Sequence, residues 1–203
     1  MLAVAFLVVT VTTVDVTFVR HAETVANATG KYNGATLNVL SKLGEKQVDE
    51  LTKTLLTQPK FDLVLVSPSP RAIRTIAPYL RDQRQKAVIF PLLYECCTGR
   101  RGHAKATQFS WGSRIAIPDD VKDVCVVRKD WDRYPSAPDY SAGLAQVREA
   151  LRVLPSAAAG RTLLVGHSGN GGQLLYGLLG KRIQVKNATL IHVGGIRQVK
   201  SID

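Results

Sequence analysis

The sequence lacks the features of an integral membrane protein and of a disulfide-rich secreted one. Its opening apolar run, at residues 1–11, is too short to cross a bilayer as a helix. Cysteines number only three, and two of them, Cys96 and Cys97, are adjacent, so with Cys125 they make a poor disulfide framework. A reducing compartment is favoured, and the expected location is the cytoplasm, with secretion as the alternative if the apolar N-terminus is a signal sequence.

Residues 1–14 allow two interpretations. No lysine or arginine precedes the apolar run and no clear small-residue cleavage site follows it, which argues against a signal peptide. The β-branched residues from Val8 to Val14 favour extended structure, so the alternative is an additional β-strand. Asn27 and Asn187 each begin an Asn-X-Thr sequon. A glycan on Asn27 would block the candidate site described below, which again favours the cytoplasm.

The chain also lacks blocks of like charge, although it is strongly basic. Lysine and arginine total 27 against 16 acidic residues, a net charge of +11. Such a surplus favours an anionic partner, and without a basic arm or interleaved aromatic residues nucleic acid is not expected. The expected partner is a phosphorylated small molecule. The sequence predicts no membrane span and leaves the oligomeric state open.

No internal repeat divides the 203 residues, so a single domain over 1–203 is expected. Within it, periodicity fails over residues 96–140, which contain both tryptophans, several glycines and prolines and a basic cluster. A segment this long inside a compact domain is typical of a lid or binding loop. The cluster is either a solvated face or a site for a second anionic group of the substrate; its members are Arg100, Arg101, His103 and Lys105.

Elsewhere the pattern repeats the order strand, polar turn, helix. This order predicts an α/β fold, a three-layer sandwich with a mostly parallel central sheet and helices on both faces. The predicted buried strands are 16–19, 61–66 and 162–166, with short strands at 88–90 and 123–127. The predicted helices are 41–57, 71–84, one capped by Ser141, and 173–179. Pro78 predicts a kink or early stop, and strands 188–193 and 196–199 close the fold around a glycine turn.

Polar residues stand at the ends of the three buried strands. Arg20 and His21 follow the first, Ser67 and Arg71 the second, and His167 the third. Parallel strands end at one edge of a sheet, so these side chains are expected to converge there. Arginine forks match phosphate oxygens, and the glycines at 169, 171 and 172 would leave backbone amides free for an anion near a helix start. The sequence therefore predicts a pocket for a doubly charged anion.

The motifs at these positions resemble the histidine phosphatase superfamily, which includes cofactor-dependent phosphoglycerate mutases and fructose-2,6-bisphosphatases. The family's Arg-His-Gly-Glu-Ser/Thr is similar to residues 20–24, with Asn27 following. Its Ser-Pro-Leu-x-Arg-Ala-x-Gln-Thr is similar to 67–75, and its Leu-Thr-x-x-Gly-x-x-Gln to 40–47. The second family histidine corresponds to His167. The resemblance covers nearly the whole chain apart from the leader and residues 96–140.

The resemblance implies roles for named residues. His21 would attack phosphorus and carry a phosphohistidine, while other groups hold the phosphoryl oxygens: Arg20, Arg71, His167 and Asn27. Ser168 follows His167 where one branch of the family has an aspartate, so Glu95 is the implied proton donor. Further substrate contacts are expected from Thr24, Ser168, Gly169, Arg100 and Arg101. Neither a metal nor a cofactor is expected.

The expected function is hydrolysis of phosphate monoesters of a small phosphorylated metabolite. Phosphoglycerate mutase-type phosphoryl transfer is the alternative within the family, but mutases resemble longer chains, so 203 residues favour a phosphatase. A non-catalytic module that binds anionic or phosphorylated ligands on the same fold is the second alternative. The presence of every expected catalytic residue argues against that module.

Overall fold

In the computed structural model, which describes residues 11–97, 112–135, 137 and 139–199, six strands form one sheet. Its order is β4-β3-β2-β5-β1-β6, parallel except for β6, which runs antiparallel to β1. The strands are β1 Val11–Arg20, β2 Leu63–Val66, β3 Ala87–Ile89, β4 Cys125–Val126, β5 Arg161–Gly166 and β6 Leu190–Val199. The helices are α1 Val25–Thr29, α2 Lys42–Leu56, α3 Pro70–Asp82, α4 Tyr140–Ala157 and α5 Ser168–Leu179.

Helices cover both faces of the sheet, because successive side chains of a strand point to opposite faces. On β2, Val64 and Val66 join a core with residues of α2 and α3. Leu65 between them belongs to the other core, which is formed with residues of α4 and α5. The predicted three-layer α/β sandwich is therefore confirmed.

The two strands at the β6 edge differ from the prediction. β1 begins at Val11, so residues 11–14 continue the strand that ends at Arg20, while residues 1–10 lie outside the described part. β6 is one strand rather than the predicted pair, because the glycine at its centre accommodates a bulge instead of a turn. The β1–β6 register shifts between Val16 and Thr17, and Gly194, opposite Val16, has a φ of +87°.

Three helix boundaries also correct the prediction. α3 continues past Pro78 to Asp82, because burial of Ile76, Tyr79 and Leu80 holds the helix against the sheet. The cap of α4 is Asp139, not Ser141, and its carboxylate accepts the amide of Ala142 at 2.8 Å. α5 begins at Ser168, so the predicted glycine-rich turn before residue 173 is already helical.

Part of the predicted lid is packed against the body of the domain. A 3₁₀ helix, Asp119–Val124, is tied to α3 by ion pairs of Arg74 with Asp120 (2.7 Å) and Arg81 with Asp123 (3.0 Å). It leads into β4, which is shorter than the strand predicted at 123–127. The basic cluster of Arg100, Arg101, His103 and Lys105 lies outside the described residues. None of the helices in the described ranges is long and apolar enough to cross a membrane.

Candidate active site

The carboxyl ends of β1, β5 and β2 bring the predicted residues together. Arg20 pairs with Gly166, and Val66 with Val165, so the residues that follow each strand share one edge of the sheet. The rings of His21 and His167 consequently meet edge to face, with centroids 5.1 Å apart. The predicted convergence of the three strand ends is present in the fold.

Arg71 joins the two histidines. It lies in the first turn of α3, where only 5% of its surface is exposed. Its Nε donates to Nε2 of His21 at 3.2 Å, and its Nη2 donates to Nδ1 of His167 at 3.2 Å. Asn38 accepts from Nη1 at 3.1 Å. Three different acceptors therefore fix the plane of this guanidinium.

These contacts define the protonation state of His21. Its Nδ1 lies 2.8 Å from the carbonyl oxygen of Ala22, which can only accept, so Nδ1 carries the hydrogen. Nε2, which accepts from Arg71, then holds a lone pair. Burial, followed by the charges of Arg71 and Arg20, lowers the pKa of His21 well below its ordinary value. The ring is therefore neutral at neutral pH, with its lone pair on Nε2.

His167 is fully buried and faces Arg71 rather than the cleft. Because its Nδ1 accepts from Arg71, its Nε2 carries the hydrogen and donates to Oγ of Ser67 at 2.8 Å. Burial, then the charge of Arg71, keeps the pKa of His167 well below its ordinary value. In this arrangement His167 acts on the site by holding one arm of the Arg71 fork.

Glu95 occupies the N-terminus of α5. Its carboxylate accepts the amide of Asn170 at 2.9 Å, that of Gly169 at 3.4 Å and that of Cys96 at 3.1 Å. Burial raises the pKa of Glu95, although the helix amides and the nearby arginines oppose the shift. The expectation of free amides at this helix start is thus wrong, because Glu95 takes two of them and Gly171 donates within the helix to His167.

Two hydrogen bonds fix the side-chain amide of Asn27, one from a backbone amide and one from another side chain. Its Oδ1 accepts the amide of Thr24 at 3.2 Å and Nδ2 of Asn187 at 3.4 Å, so its own Nδ2 is directed towards the hydroxyl of Tyr32, 3.5 Å away. Asn187 also donates to the carbonyl of His21 at 2.9 Å. The hydroxyl of Thr24 caps α1 by accepting the amide of Asn27.

The sequence did not predict that two asparagines, Asn38 and Asn187, contact residues of the site. Asn38 stands in a turn-rich loop and Asn187 was notable only as a sequon, and neither belongs to the motifs. Asn38 is far along the chain from the Arg71 side chain, and Asn187 is far from the backbone carbonyl of His21, so no local pattern marks these contacts. Only the fold reveals their roles as partners of Arg71 and His21.

A cleft of about 450 Å³ lies at this edge of the sheet. Arg20 donates from Nη1 to the carbonyl of Val185 at 3.1 Å, while its buried Nε has no partner among the described residues. Of the predicted site residues, His167 is behind the lining and Arg100 and Arg101 are outside the described part. The lining consists of Arg20, His21, Thr24, Asn27, Tyr32, Leu37, Arg71, Glu95, Cys97, Ser168, Gly169, Gly172 and Gln173.

A family model of the histidine phosphatase superfamily (branch 1) matches residues 16–200. The chain belongs to this superfamily. The match includes the second half of β1 from Val16, all of β5 and α5, and every described residue of the cleft. The resemblance inferred from residues 20–27, 40–47, 67–75 and 167 is therefore confirmed.

One relative within the superfamily is the adenosylcobalamin/α-ribazole phosphatase of Escherichia coli K-12, identical at 40% over 81 residues. That match spans 40% of this chain and 39% of the relative, so it compares less than half of either protein.

Solved structures share the fold over almost the whole chain. A protein from Escherichia coli K-12, provisionally assigned as an α-ribazole-5′-P phosphatase, gives a TM-score of 0.63 at 23% identity, covering 93% of this chain and 96% of that one. A variant phosphoserine phosphatase from Entamoeba histolytica, solved with phosphoserine, gives 0.56 at 15% identity, covering 91% and 94%. At these identities the similarity establishes the superfamily fold alone.

Proposed function

We propose that this member of the superfamily is a phosphatase that hydrolyses phosphate monoesters of a small phosphorylated metabolite through a phosphohistidine on His21. The observation that carries the proposal is the position of Nε2 of His21, 3.2 Å from Nε of the Arg71 guanidinium. In the neutral ring Nε2 carries the lone pair. A phosphate bound to that guanidinium would meet a nucleophile that needs no deprotonation. The cleft volume suits a metabolite-sized substrate.

Charge supports a phosphate ligand. Arg20 and Arg71 both line the cleft, and Glu95 is the single acidic side chain in its described lining. Burial lowers the pKa of both arginines, but from an ordinary value of 12.5, so both stay cationic at neutral pH. Two cations match a phosphate dianion, and their planar donors match its oxygens.

In the first step Arg71 transfers its Nε hydrogen bond from Nε2 of His21 to a phosphate oxygen, which frees the lone pair of Nε2. Nε2 then attacks phosphorus, and the bond between phosphorus and the ester oxygen breaks. The leaving oxygen takes the proton of Glu95, whose buried carboxyl binds protons more readily than an exposed one. The alcohol departs, leaving a phosphohistidine and an ionised Glu95. Arg20 and Arg71 stabilise the charge on the phosphoryl oxygens throughout the transfer.

In the second step the ionised Glu95 removes a proton from water while the water oxygen attacks phosphorus. The bond between phosphorus and Nε2 breaks, inorganic phosphate leaves, and both His21 and Glu95 return to their starting forms. The amides of Gly169 and Asn170 stabilise the carboxylate between the two steps, since they donate to its oxygens. His21 thus accepts the phosphoryl group in the first step and releases it in the second, while Glu95 gives up a proton and then regains one.

The experiment that tests this proposal measures phosphate release from a panel of monoesters in the presence of a metal chelator. The panel includes sugar phosphates, α-ribazole 5′-phosphate and phosphoserine. The second is chosen because one relative is an α-ribazole phosphatase, and the third because one similar structure is a phosphoserine phosphatase with phosphoserine bound. We expect release of inorganic phosphate and the free alcohol from at least one monoester. Transfer of the phosphoryl group to another position of the substrate would indicate a mutase, and no turnover with tight binding would indicate a binding module.

The protonation states predict a bell-shaped pH profile for kcat/KM with an alkyl phosphate. Activity falls at low pH as His21 becomes protonated, and because its pKa is lowered this limb lies well below pH 6.5. Activity falls at high pH as Glu95 loses its proton, and its raised pKa moves that limb towards neutrality. The optimum is therefore on the acid side of neutral. After correction for ionisation of the substrate, an optimum above pH 8 would contradict these assignments.

A further inference from the structure

Next to Glu95 lies a pair of thiols that the proposed reaction does not use. Cys96 is buried and Cys97 is half-buried, and the chain has no disulfide among its described cysteines. Their Sγ atoms are 3.0 Å apart, and Cys97 lines the cleft whereas Cys96 does not. One thiol is therefore accessible from the cleft, and the other is directly behind it.

The surrounding contacts hold the pair in place. Sγ of Cys96 donates to the carbonyl of Gly143 at 3.4 Å and lies 3.6 Å from Nδ2 of Asn170. Gly143, in the first turn of α4, has no room for a side chain, because a Cβ there would lie 2.8 Å from Sγ of Cys97. Cys97 has a φ of +63°, a left-handed conformation that is uncommon for a residue with a side chain. The backbone at the pair is thus held in an unusual conformation.

We propose that Cys96 and Cys97 are an oxidation site at which a peroxide converts the two thiols to a disulfide between adjacent residues, and that this modification displaces Glu95 and stops turnover. Its effect on turnover rests on the phosphatase activity proposed above. The formation of the disulfide does not, because it depends only on the two thiols.

The chemistry takes place in two balanced steps. The thiolate of Cys97 attacks a peroxide oxygen, the O–O bond breaks, and the products with hydrogen peroxide are a sulfenic acid on Cys97 and, after protonation, water. Cys96 then attacks the sulfenic sulfur, the S–S bond forms, and a second water leaves with the thiol proton. The two thiols are oxidised and the peroxide is reduced. Cys97 lines the cleft while Cys96 is buried behind it, so Cys97 is the thiol that a peroxide reaches first.

The disulfide cannot form without moving the backbone. Adjacent Cα atoms across a trans peptide are about 3.8 Å apart, whereas disulfides ordinarily join Cα atoms about 4.4–6.8 Å apart. No backbone rotation can lengthen the distance between adjacent Cα atoms, so closing the ring strains the peptide between Cys96 and Cys97. The strain falls on Cys96, whose own amide is one of the donors to the Glu95 carboxylate. A strained disulfide is also readily reduced, so the modification is expected to be reversible by a dithiol.

The experiment treats the full-length protein with hydrogen peroxide and follows two readouts, intact mass with peptide mapping and kcat/KM on an alkyl phosphate. Three variants are compared, each normalised to its own untreated activity: Cys97→Ser, Cys96→Ser and Cys125→Ala. Cys125 is the matched control, since it is buried on β4, away from the cleft. Burial raises the pKa of Cys125 to about 12, so its thiol resists oxidation.

In the wild type and in Cys125→Ala we expect the mass to fall by two hydrogens and the peptide map to show a Cys96–Cys97 disulfide. The value of kcat/KM should fall about 10²-fold, and dithiothreitol should reverse all three changes. Cys97→Ser should form no disulfide and keep its activity. Cys96→Ser should stop at the sulfenic acid, which a dimedone-type reagent detects. If peroxide leaves Cys97 reduced in the wild type, the pair is not an oxidation site. If the disulfide forms without loss of activity, it does not displace Glu95. A disulfide in a protein with no phosphatase activity leaves the site intact and refutes only the proposed function.

Discussion

Replacing His21 with Ala should lower kcat by roughly 10⁴- to 10⁶-fold, the range seen when a catalytic nucleophile or its orienting partner is removed. The variant keeps Arg20 and Arg71, so phosphate should still bind. The fold should persist, because the lost contacts are two hydrogen bonds, with Ala22 and Arg71, and the ring contact with His167. Steady-state kinetics on the best monoester, with circular dichroism and the unfolding temperature, measure these expectations.

The matched control for His21 is His192→Ala. His192 stands on β6 with 69% of its side chain exposed, outside the cleft, and should keep full activity. Rapid quenching of the wild type in alkali should trap an acid-labile, alkali-stable phosphoryl group, and the label should map to His21. Turnover by His21→Ala at near wild-type rates, or a label on another residue, would contradict nucleophilic catalysis by His21.

Replacing Glu95 with Gln should slow alkyl phosphates by about 10²- to 10⁴-fold, the usual contribution of a general acid. An activated aryl phosphate needs no protonation of its leaving group, so the first step should slow by less than about tenfold. Glutamine keeps an oxygen that can accept the amide of Asn170, so the start of α5 should stay in place. Burst kinetics on the aryl substrate separate the first step from hydrolysis of the phosphohistidine.

Glu149→Gln is the matched control for Glu95. Glu149 pairs with Arg152 on the surface of α4, at 2.6 Å, and its loss should leave both substrates unaffected. The alkaline limb of the pH profile should also disappear in Glu95→Gln, because no carboxyl remains there to ionise. Equal losses on alkyl and aryl substrates would indicate that Glu95 positions the substrate rather than protonating it.

A change of polarity marks the part of the site that the residues alone predicted, whereas Glu95 and Asn27 were predicted only through the family resemblance. Phe18 and Val19 are fully buried, and the chain turns polar immediately at Arg20 and His21. The same change after β2 and β5 places Arg71 and His167, because parallel strands end at a common edge. Position along the strand was therefore sufficient to predict which residues meet.

The unpredicted parts depend on contacts distant in the sequence. Pro78 should break a helix by local rules, yet buried neighbours hold α3 together. Gly194 suggested a turn, although pairing with β1 along both halves of β6 makes it a bulge. The seat of Glu95 on the amides of α5 joins residues 75 positions apart. No local pattern encodes such contacts, since the stabilising partner is outside any sequence window.

The position of β1 in the sheet affects how the chain folds during its synthesis on the ribosome. Both strands that flank β1, β5 and β6, come from the last part of the chain, and His21 reaches Asn187 across 166 residues. β1 is synthesised before β5 and β6 and therefore has no sheet partner until residues 161–166 have left the exit tunnel. Such long-range pairing slows folding and leaves apolar strand edges open to aggregation in the meantime. A nascent chain that stops before β5 therefore carries His21 and Arg71 but lacks the strand that places them together and the start of α5 that holds Glu95.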